Sequence, residues 1–214
     1  MIRRSGALRA DDPHRKEGKP VGDDSYVVFD VETPNSRNDR ISAIGLVLVE
    51  NGEQTTHFYS LVNPETSFDA FNIRLTGITP RMVRDQLSFP LLWELLRPLM
   101  EKGILCAHNA PFDLGVLGCC LRDYGIAWEP CRSYVCTCQM GRRLLPQAPN
   151  HRLNTLAEML GLPLQHHNAL SDSRACAGLL QYYRNMTDLR QFQRSYDFRE
   201  LRTRSPREMD GAAE

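Results

Sequence analysis

The sequence predicts an α/β domain in which a mixed sheet carries helices on both faces. Three observations predict it. Three strand-like runs follow one another between Tyr26 and Val62, and a hairpin signal, Glu50-Asn51-Gly52, separates the second from the third. After Val62, helical periodicity alternates with short apolar runs. The first run, Tyr26-Val27-Val28-Phe29-Asp30-Val31-Glu32-Thr33, is apolar on both sides of its pleat, as suits a strand covered on both faces.

Each element follows in order. Residues 1 to 24 mix charges with Gly and Pro and are expected to form a disordered leader. A domain over 25–185 comes next. Its first strand is YVVFDVE, its second ISAIGLVLV (Ile41 to Val49) and its third QTTHFYSLV (Gln54 to Val62), together an antiparallel meander. Thr79-Pro80 opens a helical stretch. Another runs from about Pro90 to Lys102, with Leu91, Leu92, Leu95 and Leu96 at helical spacing and Gly103 as the stop. Ile104 to Ala107 is a short strand. Asn109-Ala110-Pro111 starts a helix to Tyr124, with Asn as cap and Pro in the first turn. A strand around Tyr134-Val135-Cys136, a helix over Leu153 to Leu160 and a last core helix from Ala169 to Tyr183 complete the domain. Residues 186–214 form a charged tail, expected to be loose, helical or disordered.

The bulk numbers narrow the class. At 214 residues the chain can bury a substantial core as one domain. No apolar run reaches the length of a membrane span and no secretory signal opens the chain, so a cytoplasmic location without membrane contact is the expectation. Lys+Arg and Asp+Glu both number 26, so net charge gives no argument for a polyanionic partner. A local basic groove stays open, because Arg greatly outnumbers Lys. The seven Cys are odd in number and do not suggest a disulfide framework. Cys131, Cys136 and Cys138 have no regular zinc spacing and read as buried or half-buried thiols.

Four acids stand where acids are costly. Asp30 and Glu32 lie two apart in an apolar strand, so they share one face. Asp113 falls on the apolar stripe of its helix with Leu117 and Cys120, and Asp172 on that of the last helix with Ala169 and Cys176. Each of those two sits in the first turn, where the helix dipole favours an anion. One reading is four unrelated acids, each satisfied by a backbone amide or an Arg. The other is a cluster neutralised by hard divalent cations, Mg²⁺ or Mn²⁺, two ions held about 3.5–4 Å apart.

These residues carry a resemblance. Asp30-Val31-Glu32-Thr33, Ala107-His108-Asn109-Ala110-Pro111-Phe112-Asp113 and His167-Asn168-Ala169-Leu170-Ser171-Asp172 resemble the three motifs of the DEDDh 3′→5′ exonucleases, the superfamily of the proofreading epsilon subunit of bacterial DNA polymerase III. Thr76-Gly77-Ile78-Thr79 and Leu153-Asn154-Thr155-Leu156-Ala157 are similar to two further family segments. The resemblance covers about residues 25 to 185. It implies an RNase H-like mixed five-stranded sheet: the three-strand meander plus two parallel strands.

It also implies roles. Asp30, Glu32, Asp113 and Asp172 hold two Mg²⁺ or Mn²⁺ ions, with Asp30 bridging both, and His167 is the general base. Substrate contacts are implied at Thr33, Thr76, Gly77, Asn109 and Phe112, although Phe112 reads equally as core at the helix start. His166 lacks the motif's offset and is expected at the surface, and His108 is expected to be structural. The implied activity is metal-dependent 3′→5′ hydrolysis of single-stranded DNA ends, releasing nucleoside 5′-monophosphates in proofreading or repair. An exoribonuclease acting on short RNA, and a non-catalytic module that binds a polymerase, are the alternatives. Two departures touch selectivity: Pro34-Asn35 follow the first motif where many relatives have Thr-Gly, and Thr76 stands where many carry His.

Among partners, the resemblance implies a single-stranded DNA 3′ end or RNA and allows a DNA polymerase subunit. Gln193-Arg194-Ser195-Tyr196-Asp197-Phe198 loosely resembles sliding-clamp peptides. Packing of Leu189, Phe192 and Tyr196 as a tail helix is the preferred reading, so a sliding clamp is not expected as a partner.

Overall fold

A computed structural model describes residues 25–199, so the proposed leader and the end of the tail lie outside the described residues. Strands β1 (Tyr26–Glu32), β2 (Ala43–Glu50) and β3 (Glu53–Leu61) form the meander, and β2 and β3 turn at Asn51 and Gly52, both at positive φ. Helices α1 (Ala70–Thr76), α2 (Pro80–Val83) and α3 (Phe89–Met100) follow, then β4 (Ile104–Ala107), α4 (Ala110–Asp123), β5 (Cys131–Cys136), α5 (Thr137–Leu144), α6 (Leu153–Met159) and α7 (Ala169–Met186). A 3-10 turn, Leu189–Phe192, leads into β6 (Arg194–Asp197). The sheet order is β3-β2-β1-β4-β5-β6, with β1, β4 and β5 parallel and β6 antiparallel to β5.

Side-chain alternation divides the core. Val27, Phe29 and Val31 of β1 join a cluster with Trp93 and Leu96 of α3 and Leu114 and Leu117 of α4. Tyr26 and Val28 face the opposite way, into a cluster with Cys176, Leu179, Leu180 and Tyr183 of α7. Asp30 and Glu32 continue this second row, so their face is the one covered by α7.

The structure has one strand more than the five expected. Among the described residues the tail beyond the 3-10 turn at Leu189–Phe192 is a strand, not a helix: β6 pairs with β5 from Cys131↔Asp197 to Tyr134↔Arg194. Tyr196 and Phe198 are half-buried against the core, with Tyr196 edge-on to Tyr134 and Phe198 tilted against Trp128. Of the clamp-like hexapeptide's aromatics, Tyr196 is thus held in the sheet, and Phe198 just past it donates its backbone N–H to Pro130 O at 2.8 Å. Short helices α1 and α5 were not expected either. AFNIRLT and TCQMGRRL span only about two turns each, too short a window for periodicity to tell a helix from a loop.

Candidate active site

The site forms where β1 and β4 part. Parallel pairing of the two strands ends at Val28↔Cys106, while β1 stays paired with β2 as far as Glu32↔Ala43. One edge of β1 beyond Val28 therefore lacks a strand partner. Asp113, in the first turn of α4, fills part of the gap: its Oδ1 accepts the Val31 amide N–H at 3.2 Å. Pro111 sits at the start of α4, where a missing N–H costs nothing. Asn109 precedes it at φ 69°, and its side chain makes no capping hydrogen bond, so a backbone turn starts this helix rather than the expected side-chain cap.

On the other side, the first turn of α7 descends onto β2. Gly45, opposite Asp30 in register, permits it: a Cβ there would strike the Ala169 carbonyl and the Leu170 amide. Ser173 Oγ donates to Gly45 O at 3.0 Å and locks the contact. Asn168 caps α7, its side-chain oxygen accepting the Ser171 N–H at 3.0 Å. Asp172 is thereby delivered to the acids of β1. Ligand oxygens of Asp30, Glu32 and Asp172 all lie within 4.8 Å of one another.

The electrostatics are those of uncompensated negative charge. Burial, then Asp113, Glu32 and Asp172, hold the Asp30 carboxyl well above the usual range. Burial and Asp172 push Glu32 up to about 7. Burial also raises Asp113, against the Val31 hydrogen bond. Among the described residues no Arg or Lys pairs with any of the four; the one ion-pair partner is His166. All four donors are hard oxygen atoms, and three converge within reach of one ion. This donor set fits a divalent cation such as Mg²⁺ or Mn²⁺ and does not fit a soft metal.

His166 is exposed at the surface, as expected, but it also reaches the site: its Nδ1 lies 3.2 Å from Asp172 Oδ2, and that bond raises its pKa. His167 donates its backbone N–H to the same oxygen at 3.1 Å, has φ 64°, and stacks on His166 with ring centroids 4.0 Å apart. Burial and the neighbouring His166 lower the His167 pKa. His108 is half-buried behind the cluster. Its Nδ1 meets Thr137 Oγ1 at 3.0 Å and its Nε2 meets the His151 carbonyl at 2.9 Å, so Nε2 carries the proton. Burial depresses it to about 4 and keeps it neutral.

The residues expected to touch substrate have structural duties as well. Thr33 is buried, and Asn72 of α1 donates to both its carbonyl and its hydroxyl oxygen, at 3.0 and 3.2 Å. Thr76 Oγ1 donates to Asn72 O and accepts the Ile78 N–H, and Gly77 closes α1 at φ 74°. Phe112 is half-buried against the α3/α4 core. Asn72 carried no signal in sequence, because its role depends on α1 lying against Thr33.

Comparison with known proteins agrees with this architecture. The exonuclease family RNase_T matches residues 27–180. A DNA polymerase III PolC-type protein of Oceanobacillus iheyensis is 40% identical over 163 residues, which cover 74% of this chain and 11% of that protein. The chain therefore spans about a tenth of the length of the curated relatives it matches. Exonuclease X in complex with 5′ overhanging duplex DNA shares the fold at a TM-score of 0.64 and 24% identity, covering 78% of this chain and 96% of that one. The nuclease domain of 3′hExo, a DEDDh family member bound to rAMP, does so at 0.61 and 20% identity, covering 74% and 89%. By its fold, and by the family match over most of its length, the chain belongs to the RNase_T exonuclease family.

Proposed function

We propose that this chain is a metal-dependent 3′→5′ exonuclease that cleaves single-stranded DNA from its 3′ end and releases nucleoside 5′-monophosphates. The carrying observation is the convergence of Asp30, Glu32 and Asp172, from β1 and α7, with Asp113 of α4 anchored on the same strand. Two Mg²⁺ or Mn²⁺ ions bound by these carboxylates would supply an activated water and charge stabilisation for the leaving 3′-oxygen.

The chain's own residues do the rest. Asp30, Glu32 and Asp172 would hold the ions, with Asp30 shared between them. Asp113, committed by one oxygen to Val31, has the other for a supporting contact. His167 takes the proton of the attacking water on a ring nitrogen, while its backbone N–H fixes Asp172. His166 has its Nδ1 committed to Asp172 Oδ2 and is assigned an orienting role. Thr33, Thr76, Gly77, Asn109 and Phe112 are assigned, on the motif resemblance, to contacts with the terminal nucleotide.

A role beside a replicative polymerase, in proofreading or repair, is the biological reading. It is supported by the PolC-type relatives, which carry the matching segment within a far longer chain. The deciding experiment compares purified protein with Mg²⁺ or Mn²⁺ on labelled single-stranded DNA, duplex DNA and RNA. Mononucleotide release from the 3′ end of single-stranded DNA, with a circular strand resistant, is the expected result. Preferential digestion of RNA would move the assignment to an exoribonuclease, and rapid loss of the circle to an endonuclease.

A further inference from the structure

We propose that the cleft between α5 and the segment leading into β6 binds backbone phosphates of the substrate strand, a few nucleotides from the 3′ end. This rests on the nuclease reading above and extends it to a second contact region. Arg142 and Arg143 of α5 line one wall, and Arg194 at the start of β6 lines the other. Among the described residues, no acidic side chain lines the cleft.

The formal net charge is zero, and Arg37, Arg40, Arg97, Arg122, Arg132, Arg190 and Arg199 each pair with a carboxylate within 4.0 Å. Among the described residues, Arg142, Arg143 and Arg194 form no such pair. Arg74, Arg81, Arg84 and Arg174 also lack a carboxylate pair among the described residues, but here three such arginines line one cleft. Three guanidinium groups facing one acid-free cleft repel each other unless an anion joins them. Arg143 is also pre-positioned, with its guanidinium 5.1 Å from the centre of the Phe192 ring. Planar guanidinium groups suit phosphate oxygens, and the amides of Gln139 and Gln193 beside them add neutral hydrogen-bonding capacity.

Position favours a nucleic acid strand over an acidic peptide. Cys136, which lines the cleft, pairs with Ala107, one residue beyond the Val28↔Cys106 pair. The cleft thus opens at the same end of the sheet as Asp30, two strands away. At about 4.8 Å per strand this is about 10 Å, a span of about three stacked nucleotides at about 3.4 Å each. A strand with its 3′ end at the acids and its body running across the ends of β4 and β5 reaches the three arginines.

The test uses the full chain and its Arg142→Gln/Arg143→Gln/Arg194→Gln variant, which keeps most of each side-chain stem. Binding of fluorescein-labelled dT12 is followed by anisotropy in Ca²⁺ over a range of salt concentrations. Loss of three phosphate contacts should reduce the slope of log K against log salt by about 2, at about 0.7 per contact on a single strand. In Mg²⁺, KM for dT12 should rise at least about tenfold, while kcat and hydrolysis of the nitrophenyl ester of thymidine 5′-monophosphate stay unchanged. The Arg142→Lys/Arg143→Lys/Arg194→Lys variant, which keeps the charge, should retain the salt slope. An unchanged slope in the Gln variant would overturn the proposal. So would deca-glutamate displacing dT12 from the wild type but not from the variant at equal charge concentration, which would assign the cleft to an acidic protein. If neither dT12 nor the ester is cleaved, the nuclease reading fails on its own, and the anisotropy arm still decides the cleft.

Discussion

His166 and His167 both bind Asp172, but through different groups: the first through its ring at 3.2 Å, the second through its backbone amide at 3.1 Å. The same oxygen is shared, and the left-handed backbone at His167 makes this possible. The two rings then have opposite tendencies, raised basicity at His166 and lowered basicity at His167. Removal of the proposed base, His167→Ala, should lower kcat by roughly 10²–10⁴. His166→Ala should cost less than about tenfold, as loss of one orienting bond to Asp172. Steady-state kinetics on a short oligonucleotide separate the two. A silent His167→Ala beside a crippled His166→Ala would reverse the assignment.

The acid cluster makes the metal-free protein sensitive to pH. Glu32 titrates near 7 when folded, against 4.5 for the ordinary group. Between these values the folded chain holds more protons than the unfolded chain, so stability falls as pH rises through the window. Asp30 and Asp113 are raised too and act in the same direction. In chelator, Tm should drop between about pH 5 and pH 8, and Mg²⁺ or Mn²⁺ should restore it. Glu32→Gln should flatten the curve. A Tm in chelator that is level or climbs over this range would contradict the electrostatic account.

Neutral replacements should separate stability from activity. Asp30→Asn and Glu32→Gln each relieve like-charge repulsion while keeping volume. Cleavage should fall below detection in both, because the ions lose a ligand, while the metal-free Tm rises or holds. Circular dichroism and a Mn²⁺ titration check the two halves. Retained cleavage in excess chelator would remove the metal from the mechanism.

Much of this was legible in the sequence because it broke a pattern. Acids at 30 and 32 are conspicuous inside YVVFDVE, and Asp113 and Asp172 are conspicuous on apolar helix stripes. Their convergence was an inference from motif order, and it depended on contacts such as Gly45 against Ala169 that no local pattern encodes. The strand β6 was hidden for another reason. Arg194-Ser195-Tyr196-Asp197 has no clear alternation, and its partner lies about sixty residues earlier, as in the Gln193–Ser133 bond. Long-range pairing, not propensity, makes it a strand. The His166 contact was invisible because motif spacing says nothing of how the backbone turns at His167.

The tail strand should be measurably stabilising. Tyr196 and Phe198 are half-buried against Trp128 and Tyr134, with ring centroids 4.9 Å apart from each other. Phe198→Ala should destabilise by about 1–3 kcal/mol, less than a fully buried Phe. Denaturant melts report it directly. An unchanged midpoint would mean that β6 is dispensable and the hexapeptide free to serve a partner.

Gly45 offers the sharpest test of how the fold builds the site. It lies opposite Asp30 on β2, and a side chain there meets backbone atoms of Ala169 and Leu170, which cannot rotate aside. Gly45→Ala must therefore push the first turn of α7 off the sheet. The overpacking should cost about 1–3 kcal/mol. The larger effect is on geometry, because Asp172 moves with that turn while Asp30 and Glu32 remain on β1. Activity should fall far more than the unfolded fraction explains, and Mn²⁺ affinity should weaken in the folded variant. A Gly→Ala change at Gly125, which has open space but a positive φ, serves as the control for backbone strain alone: it should cost stability without touching metal affinity. Equal metal binding in both variants would show that the close approach at Gly45 does not set the position of Asp172.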